Sequence, residues 1–383
     1  MRFEFATSSR IIFGNGTISE VGLAASTLGT RAFVIINSLE RSARLLEILR
    51  ASNLVALPYP IEGEPTIPSI VAALQVAVRE KCDLIIGMGG GSAMDTGKAL
   101  AALLNNPDEL QDYLEVIGKG RALEQPSLPF IAIPTTAGTG SEVTRNAVIY
   151  SPGQRVKVSL RSPFMLPRLA IIDPELTYSL PPEVTAYTGL DALTQLIEPF
   201  VSNAPNPMVD GFCREGIVRV AESLLAAYKN GQDVPARENM ALASMLSGLA
   251  LANGRLGAVH GMANPIGGMS HAPHGAICGR LLPLVIETNL TALRSRQPDS
   301  PSRMRYTEVA RLLTGNTTAI ADDGVVFVKE LCKKMDVRPL KEYGLMPADY
   351  PDLVAQSQKA NSMKGNPIPL TDEEINQLLE LAG

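Results

Sequence analysis

The sequence predicts an α/β N-terminal domain built on a parallel sheet, followed by an all-α C-terminal domain. Short apolar segments alternate with stretches of helical periodicity between residues 32 and 104, a pattern typical of doubly wound sheets. After Leu180-Pro-Pro-Glu183 the periodicity becomes helical, with few strand signals. With 383 residues and 45% hydrophobic content, each domain can bury a core. We therefore place the domains at residues 1–180 and 181–383.

The N-terminal elements are predicted from apolar patterning in chain order. Residues 3–13 are typical of a β-hairpin or two short strands, and residues 18–28 have helical spacing. Strands are predicted at 32–36, 54–57, 84–88 and 129–134, and helices at 39–49, 67–78 and 92–104. Pro58–Pro65 is predicted as a connection, and three further strands, at 148–150, 156–160 and 169–172, are expected to complete the sheet.

The C-terminal domain is predicted as a set of helices. Their spans are 183–201, 208–229, 236–251, 276–293, 304–314 and 324–334. Thr371-Asp-Glu-Glu374 is a capping box that predicts one more helix.

Charge and composition exclude several classes of partner. The net charge is −5 without a dense Lys/Arg run, which predicts neither nucleic-acid nor anionic-membrane binding. No unbroken apolar run reaches the length of a membrane span, and residues 1–6 lack the layout of a signal peptide, so we expect a cytoplasmic protein. The four cysteines form no CxxC pair and are predicted to be reduced core residues.

Three consecutive glycines, Gly89, Gly90 and Gly91, join an apolar strand to a helix that begins near Ser92. Glycines let a ligand approach the backbone, and N–H groups at a helix start favour an anion. The Walker A and Rossmann patterns both fail, because Ser92 stands where each requires glycine. The stretch predicts a nucleotide pyrophosphate site of another kind, with an unliganded tight turn as the alternative. The loop Thr135–Glu142, rich in hydroxyls and glycines, predicts further cofactor contacts or a polar turn.

A metal site is the second prediction. Asp191 and Gln195 lie four apart on one helix face, and His260, His271 and His274 fall within fifteen positions. Asp191, His260 and His274 form a ligand set that suits Fe²⁺ or Zn²⁺, with Gln195 as a possible fourth ligand. The alternative is that these are core histidines bonded to carbonyl groups, which we favour for His271 alone. Cys278 lies one turn after His274, and we interpret it as a packing residue.

These motifs resemble the iron-containing (group III) alcohol dehydrogenase family over nearly the whole chain. The likeness rests on Gly89-Gly-Gly-Ser92 with Asp95 and Lys98, on Pro134–Thr144, and on Gly189–Thr194 with Val259-His-Gly and Ala272-Pro-His-Gly275. It implies a dehydroquinate synthase-like fold, a dinucleotide-binding domain, a helical domain and a catalytic metal in the cleft between them. The cofactor residues that it implies are Gly89, Gly90, Gly91, Ser92, Asp95, Thr135, Thr136, Thr139, Thr144, Asn146, Lys157 and Leu176.

The resemblance implies an NAD- or NADP-dependent enzyme that interconverts a small alcohol and its aldehyde, as a homodimer or higher homo-oligomer. Two positions depart from the family, which usually has histidine where Gln195 and Asn264 stand. A proton relay would then use His271, cofactor hydroxyls or water. Two alternatives remain: a sugar-phosphate lyase or cyclase of the dehydroquinate synthase type, and a metal-free nucleotide-binding protein.

Two further predictions concern specificity. Asn37 follows the strand 32–36 where NAD-preferring members tend to carry Asp, and Arg41 and Arg44 follow it, so NADP should be accepted. Arg145 or Arg280 facing the cleft would favour a substrate with a carboxylate or phosphonate, such as a hydroxy acid.

Overall fold

The structure is a computed structural model that describes residues 3–106 and 108–383. Its contacts divide the chain into two compact units. Of the described residues, one unit contains 6–106, 108–136 and 140–178, and the other contains 179–383 together with 3–5 and 137–139.

The first unit contains a six-stranded parallel sheet with strand order β1-β8-β5-β4-β2-β3. Its strands are β1 (Ile11–Phe13), β2 (Arg31–Ile36), β3 (Val55–Pro60), β4 (Leu84–Gly89), β5 (Phe130–Pro134) and β8 (Leu169–Ile172). The central strands β2, β4, β5 and β8 are buried almost along their whole length, as their continuous apolar sequences predict. The helices that connect the strands are α1 (Val21–Ser26), α2 (Ala43–Ala51), α3 (Ile67–Arg79), α4 (Gly91–Asn105) and α5 (Leu110–Tyr113).

Two predictions for this unit are wrong. Residues 3–13 do not form a hairpin, because β1 pairs in parallel with β8. The strands predicted at 148–150 and 156–160 do not extend the main sheet; they are β6 (Asn146–Ser151) and β7 (Val156–Arg161), an antiparallel pair in a sheet of their own. A short apolar segment does not reveal its pairing partner, and here the turn between β6 and β7 is short enough to close a hairpin.

The segment predicted as a Pro-rich connection also begins differently. Pro58 and Pro60 continue β3, in register with Val34 and Ile36 of β2. Proline lacks the backbone N–H that a central strand needs, and β3 accommodates both prolines because it lies at the sheet edge.

The second unit is helical. Its helices are α6 (Pro182–Val201), α7 (Pro207–Lys229), α8 (Val234–Asn253), α9 (Ala258–Met269), α10 (His274–Arg296), α11 (Pro301–Thr314), α12 (Ala321–Lys334), α13 (Tyr350–Lys359) and α14 (Asp372–Ala382). Thr371 and Glu374 form the predicted capping box of α14. Helices α9 and α13 were not predicted. Within the described residues this unit contains no strand, so the predicted α/β and all-α fold classes are confirmed.

One helix of this unit, α10, is long and apolar enough to cross a membrane by length and composition. However, 72% of its most apolar window is buried inside the protein, and core helices pass the same test. All four cysteines are buried and outside disulfides, as predicted.

Candidate functional site

The glycine-rich turn lies between β4 and α4 in the first unit. Gly90 caps α4 in an extended conformation, and as a glycine it offers no side chain to bond the first N–H groups of the helix. A Cβ at Gly89 would lie 2.0 Å from Oδ1 of Asn37, so a side chain there would clash. The turn therefore exposes backbone donors at a helix N-terminus, an arrangement that suits a phosphate group.

Asn37 lies beside this turn. The Gly90 N–H donates to its Oδ1 over 3.4 Å, which places residue 37 at the edge of the same carboxyl-end surface of the sheet. Ligands of open parallel sheets bind at the carboxyl ends of the strands. Asn37 is thus positioned at the turn that is predicted to bind the cofactor.

Asp95 and Lys98 connect α4 to the loop that follows β5. The buried Lys98 ammonium donates to Ser141 Oγ (2.6 Å) and Thr144 Oγ1 (2.9 Å) and lies 3.2 Å from Asp95. Burial lowers the pKa of Lys98, against the raising effect of Asp95. Asp95 accepts from Ser141 Oγ and from the Val148 N–H. These contacts give Asp95 and Thr144 a role in positioning the loop, whether or not they touch a cofactor.

The remaining predicted cofactor residues lie in different local environments. The Thr135 N–H donates to the Gly89 carbonyl over 2.9 Å, and Thr136 lies within contact of Gly90. Lys157 is largely buried and paired with Glu64, which a cofactor would have to share or displace. Asn146 begins β6, Leu176 packs on the core that includes β8, and Thr139 belongs to the helical unit.

A cluster of metal-ligating side chains lies in the helical unit. Asp191 Oδ1 of α6 is 3.5 Å from His260 Nε2 of α9 and 3.6 Å from His274 Nε2, at the start of α10. Together with Cys278 Sγ, one atom of each residue lies within 4.8 Å of all the others. The structure therefore brings together three residues that the sequence nominated as metal ligands. A Cβ at Gly275 would lie 2.2 Å from the Tyr187 carbonyl oxygen, so glycine after His274 allows α10 to pack closely on α6.

Glu198 holds His260 from the side opposite the cluster. Its Oε2 lies 2.6 Å from His260 Nδ1, and its Oε1 accepts from the Val259 N–H over 2.7 Å. A carboxylate needs a donor, so Nδ1 carries a proton in either charge state of the ring, and Nε2, once deprotonated, directs its lone pair toward Asp191. Sequence reasoning missed Glu198, although its position seven residues after Asp191 on α6 puts it on the same helix face.

The chemistry of the cluster fits a bound cation. Asp191 Oδ1 and His260 Nε2 are buried and have no hydrogen-bond partner among residues 3–106 and 108–383. Burial raises the pKa of Asp191, but His274 and His260 together lower it by more. The net pKa is below its usual value, so the carboxylate is charged. Burial lowers the pKa of His260, whereas Glu198 and Asp191 raise it, to about 10. The site thus favours positive charge at its centre.

Gln195 does not face the cluster as a ligand. Its amide nitrogen donates to Asp191 Oδ2 over 3.0 Å, and its Oε1 accepts from Ser247 Oγ. The carbonyl oxygen that would bind a metal is therefore directed at Ser247, and the contact with Asp191 orients the carboxylate.

Two other predicted residues lie outside this cluster. His271 is exposed, and its backbone N–H donates to the Tyr343 carbonyl. The Arg280 guanidinium donates to the carbonyls of Leu381 and Ala382 at the end of α14. Arg280 therefore binds a helix C-terminus, which is the physical reason against assigning it a substrate contact.

Comparisons with known proteins point to one family along nearly the whole chain. The family model "Iron-containing alcohol dehydrogenase" matches residues 8–174, and "Fe-containing alcohol dehydrogenase family, C-terminal" matches residues 185–383. Alcohol dehydrogenase 4 of Saccharomyces cerevisiae is 33% identical over 377 residues, which are 97% of this chain and 96% of that protein. The structure of 1,3-propanediol oxidoreductase is similar with a TM-score of 0.92 and 31% identity, covering 100% of both chains.

A third similar structure is that of sulfoacetaldehyde reductase from Bifidobacterium kashiwanohense in complex with NAD⁺, with a TM-score of 0.86 and 31% identity, covering 100% of this chain and 99% of that one. Members of this family are oxidoreductases that act on alcohols with NAD(P) and a divalent metal. Matches on both halves, with relatives above 30% identity over nearly the whole chain, confirm the resemblance found in the sequence. The chain belongs to the iron-containing alcohol dehydrogenase family.

Proposed function

We propose that this enzyme transfers hydride between a small primary alcohol and NAD(P), with Asp191, His260 and His274 as the metal ligands. The observation that carries the assignment is the buried cluster itself. Two of its three nominated residues present a polar atom without a partner among the described residues, and these atoms face one another at 3.5 Å. Packing alone gives no reason to bury such atoms without a hydrogen bond, since each costs about 1 to 3 kcal/mol.

The chain's own groups perform binding and orientation. Asp191 supplies a charged oxygen held by Gln195, and Glu198 fixes the tautomer of His260. A bound divalent cation would polarise the alcohol oxygen, while the nicotinamide accepts the hydride. The glycine turn before α4 would hold the pyrophosphate by backbone N–H groups.

Acceptance of both NAD and NADP follows from Asn37. An acidic side chain at this position would repel a 2′-phosphate, and a neutral amide does not. Arg44 is exposed and close to Asn37 in sequence, and a phosphate would compete with its ion pair to Glu175, which lies 3.7 Å away. The similar sulfoacetaldehyde reductase was solved with NAD⁺, which supports use of the unphosphorylated cofactor as well.

Preference for an anionic substrate now rests on Arg145, since Arg280 binds α14. The name of the sulfoacetaldehyde reductase describes an aldehyde with a negative charge. Comparing kcat/KM for a semialdehyde and for an uncharged aldehyde of equal length, in wild type and Arg145→Ala, tests this preference. Equal specificity constants in the wild type would remove it.

Of the two alternative functions, the lyase or cyclase loses support because both family matches are to alcohol dehydrogenases. One experiment distinguishes the proposed metal-dependent enzyme from the metal-free nucleotide-binding alternative. Metal content and alcohol oxidation, followed by absorbance of the reduced nicotinamide, are measured before and after chelation. We expect chelation to abolish turnover and Fe²⁺ or Zn²⁺ to restore it.

The matched variants are His260→Ala and His274→Ala, with Glu287→Gln as a control on the exposed side of α10. The first two should lose both metal and turnover, and the control should keep both. Equal turnover of all three variants without metal would contradict the proposed mechanism. A cytoplasmic location and a homo-oligomeric state are further proposals, which cell fractionation and light scattering test.

A further inference from the structure

We propose that Cys278 provides a fourth protein ligand, a thiolate, to the cation held by Asp191, His260 and His274. This inference rests on the proposed metal site. It changes the ligand set from oxygen and nitrogen to oxygen, nitrogen and sulfur, and it assigns Gln195 to positioning.

Cys278 lies on α10 at a position that faces the cluster. It follows His274 by four residues, so both side chains leave the same face of the helix one turn apart. Cys278 Sγ lies 3.6 Å from His274 Nε2, and it belongs to the group whose ligand atoms all lie within 4.8 Å of one another. The helix thus presents an imidazole and a thiol to the same point.

The distances between the ligand atoms of the cluster are close to those around a tetrahedral metal ion. Zinc bonds of about 2.0 to 2.3 Å at tetrahedral angles place neighbouring ligand atoms about 3.3 to 3.8 Å apart. The observed separations are 3.5 Å for Asp191 to His260, 3.6 Å for Asp191 to His274 and 3.6 Å for His274 to Cys278. Three of the six edges of a tetrahedron around one metal ion are thus matched, and the other three pairs of ligand atoms lie within 4.8 Å.

Gln195 is oriented away from a ligand role. Its amide group donates to Asp191 and its carbonyl oxygen accepts from Ser247, so both ends are used. To bind the cation, Gln195 would have to give up the contact that orients Asp191.

The other buried cysteines show what a packing thiol looks like in this protein. Cys213 lies in the apolar core, and burial raises its pKa. Cys332 donates to the Gly279 carbonyl over 3.3 Å, and burial is likewise the first cause of its raised pKa, about 12. Cys278 belongs to the same apolar core as Cys213 and Cys332, but its sulfur also lies within 4.8 Å of the ligand atoms of Asp191, His260 and His274.

A thiolate changes which metal the site prefers. Soft sulfur ligands favour Zn²⁺ over Fe²⁺, and Zn²⁺ is already favoured by the Irving–Williams order. Zinc also accepts a fifth ligand, so four protein ligands leave room for a substrate oxygen. We therefore expect Zn²⁺ to displace Fe²⁺ when both are offered at equal concentration.

Absorption spectroscopy of the Co²⁺-loaded full chain tests the assignment without using activity. Thiolate coordination gives an intense near-ultraviolet charge-transfer band in addition to the weaker visible bands of bound Co²⁺. We expect the wild type and the matched control Cys332→Ser to show both features. Cys278→Ser should keep the visible bands, lose the charge-transfer band, and bind Co²⁺ at least about 10-fold more weakly.

The outcomes separate the two proposals. Visible Co²⁺ bands without charge transfer in the wild type would overturn the thiolate ligand and leave the three-residue site intact. A charge-transfer band that persists in Cys278→Ser would also overturn it. Complete failure to bind Co²⁺ would overturn the metal site itself. X-ray absorption of the zinc-loaded wild type gives an answer that needs no variant: one sulfur at about 2.3 Å supports the proposal, and a shell of oxygen and nitrogen alone contradicts it.

Discussion

Replacing Glu198 by glutamine should weaken metal binding without unfolding the protein. The carboxylate accepts two short hydrogen bonds, from the Val259 N–H at 2.7 Å and from His260 Nδ1 at 2.6 Å. Glutamine has the same shape but a single acceptor atom, so its amide nitrogen can only donate, and one of the two present donors must become an acceptor. The backbone N–H of Val259 cannot become an acceptor, whereas His260 can move its proton from Nδ1 to Nε2. We therefore expect the imidazole to change tautomer.

An upper bound on the effect is the free energy of the charge-assisted hydrogen bond between Glu198 and His260, which the variant replaces with a weaker neutral one. A hydrogen bond to a charged group contributes about 1.5 to 3 kcal/mol, which corresponds to about a 10- to 150-fold change in an equilibrium constant. Loss of groups that orient metal ligands typically costs about 10- to 100-fold in affinity. The two scales agree, and the physical reason is that an imidazole bound to the cation through Nε2 keeps its proton on Nδ1, which in the variant would face an amide donor instead of a carboxylate acceptor.

Zinc affinity is measured by competition with a chelating dye at fixed pH, and folding by thermal unfolding in the presence of a chelator. Glu198→Gln should raise the Kd for Zn²⁺ by about 10- to 100-fold with a nearly unchanged unfolding temperature. Glu287→Gln is the matched control, because it makes the same chemical change in an exposed ion pair with Lys329. An unchanged Kd in Glu198→Gln would refute the tautomer argument.

Three further predictions test other parts of the molecule. Gly275→Ala should lower stability by about 1 to 3 kcal/mol, measured by denaturant unfolding, because its Cβ would lie 2.2 Å from the Tyr187 carbonyl oxygen. Burial raises the pKa of Asp83, but hydrogen bonds from residues 30–31 lower it below 3.8. Asp83→Asn should therefore cost about 1 to 3 kcal/mol at neutral pH, a difference that shrinks as the pH falls through the lowered pKa. Asn37→Asp should raise the ratio of kcat/KM for NAD to that for NADP; an unchanged ratio would place residue 37 away from the ribose.

Much of the fold could be predicted because its signals are local. Continuous apolar runs between helical stretches predicted β2, β4 and β5, and the glycine triplet predicted the start of α4. Strand pairing is a long-range property. The segments that became β6 and β7 have the same apolar character as β8, and the sequence does not show that they pair with each other.

The residues of the candidate site likewise divide into those with a local sequence signal and those whose role depends on long-range packing. Asp191, His260 and His274 could be nominated because histidines are rare in this chain and fall in one segment. The roles of Glu198 and Cys278 depend on how α6, α9 and α10 pack together. Their residue types occur many times in the sequence, so distance alone distinguishes them from packing or surface residues.

The two prolines of β3 have a consequence for how copies of this protein meet. The N–H groups of Val55 and Ile61 donate toward β2, so the odd-numbered positions face inward and the nitrogens of residues 56, 58 and 60 face outward. Prolines occupy two of these three outward positions, which leaves Ala56 as the one donor along that side. A strand from another molecule would find almost no hydrogen-bond donors there. The edge at β3 is thereby protected against the strand-to-strand aggregation to which an unblocked parallel sheet is exposed.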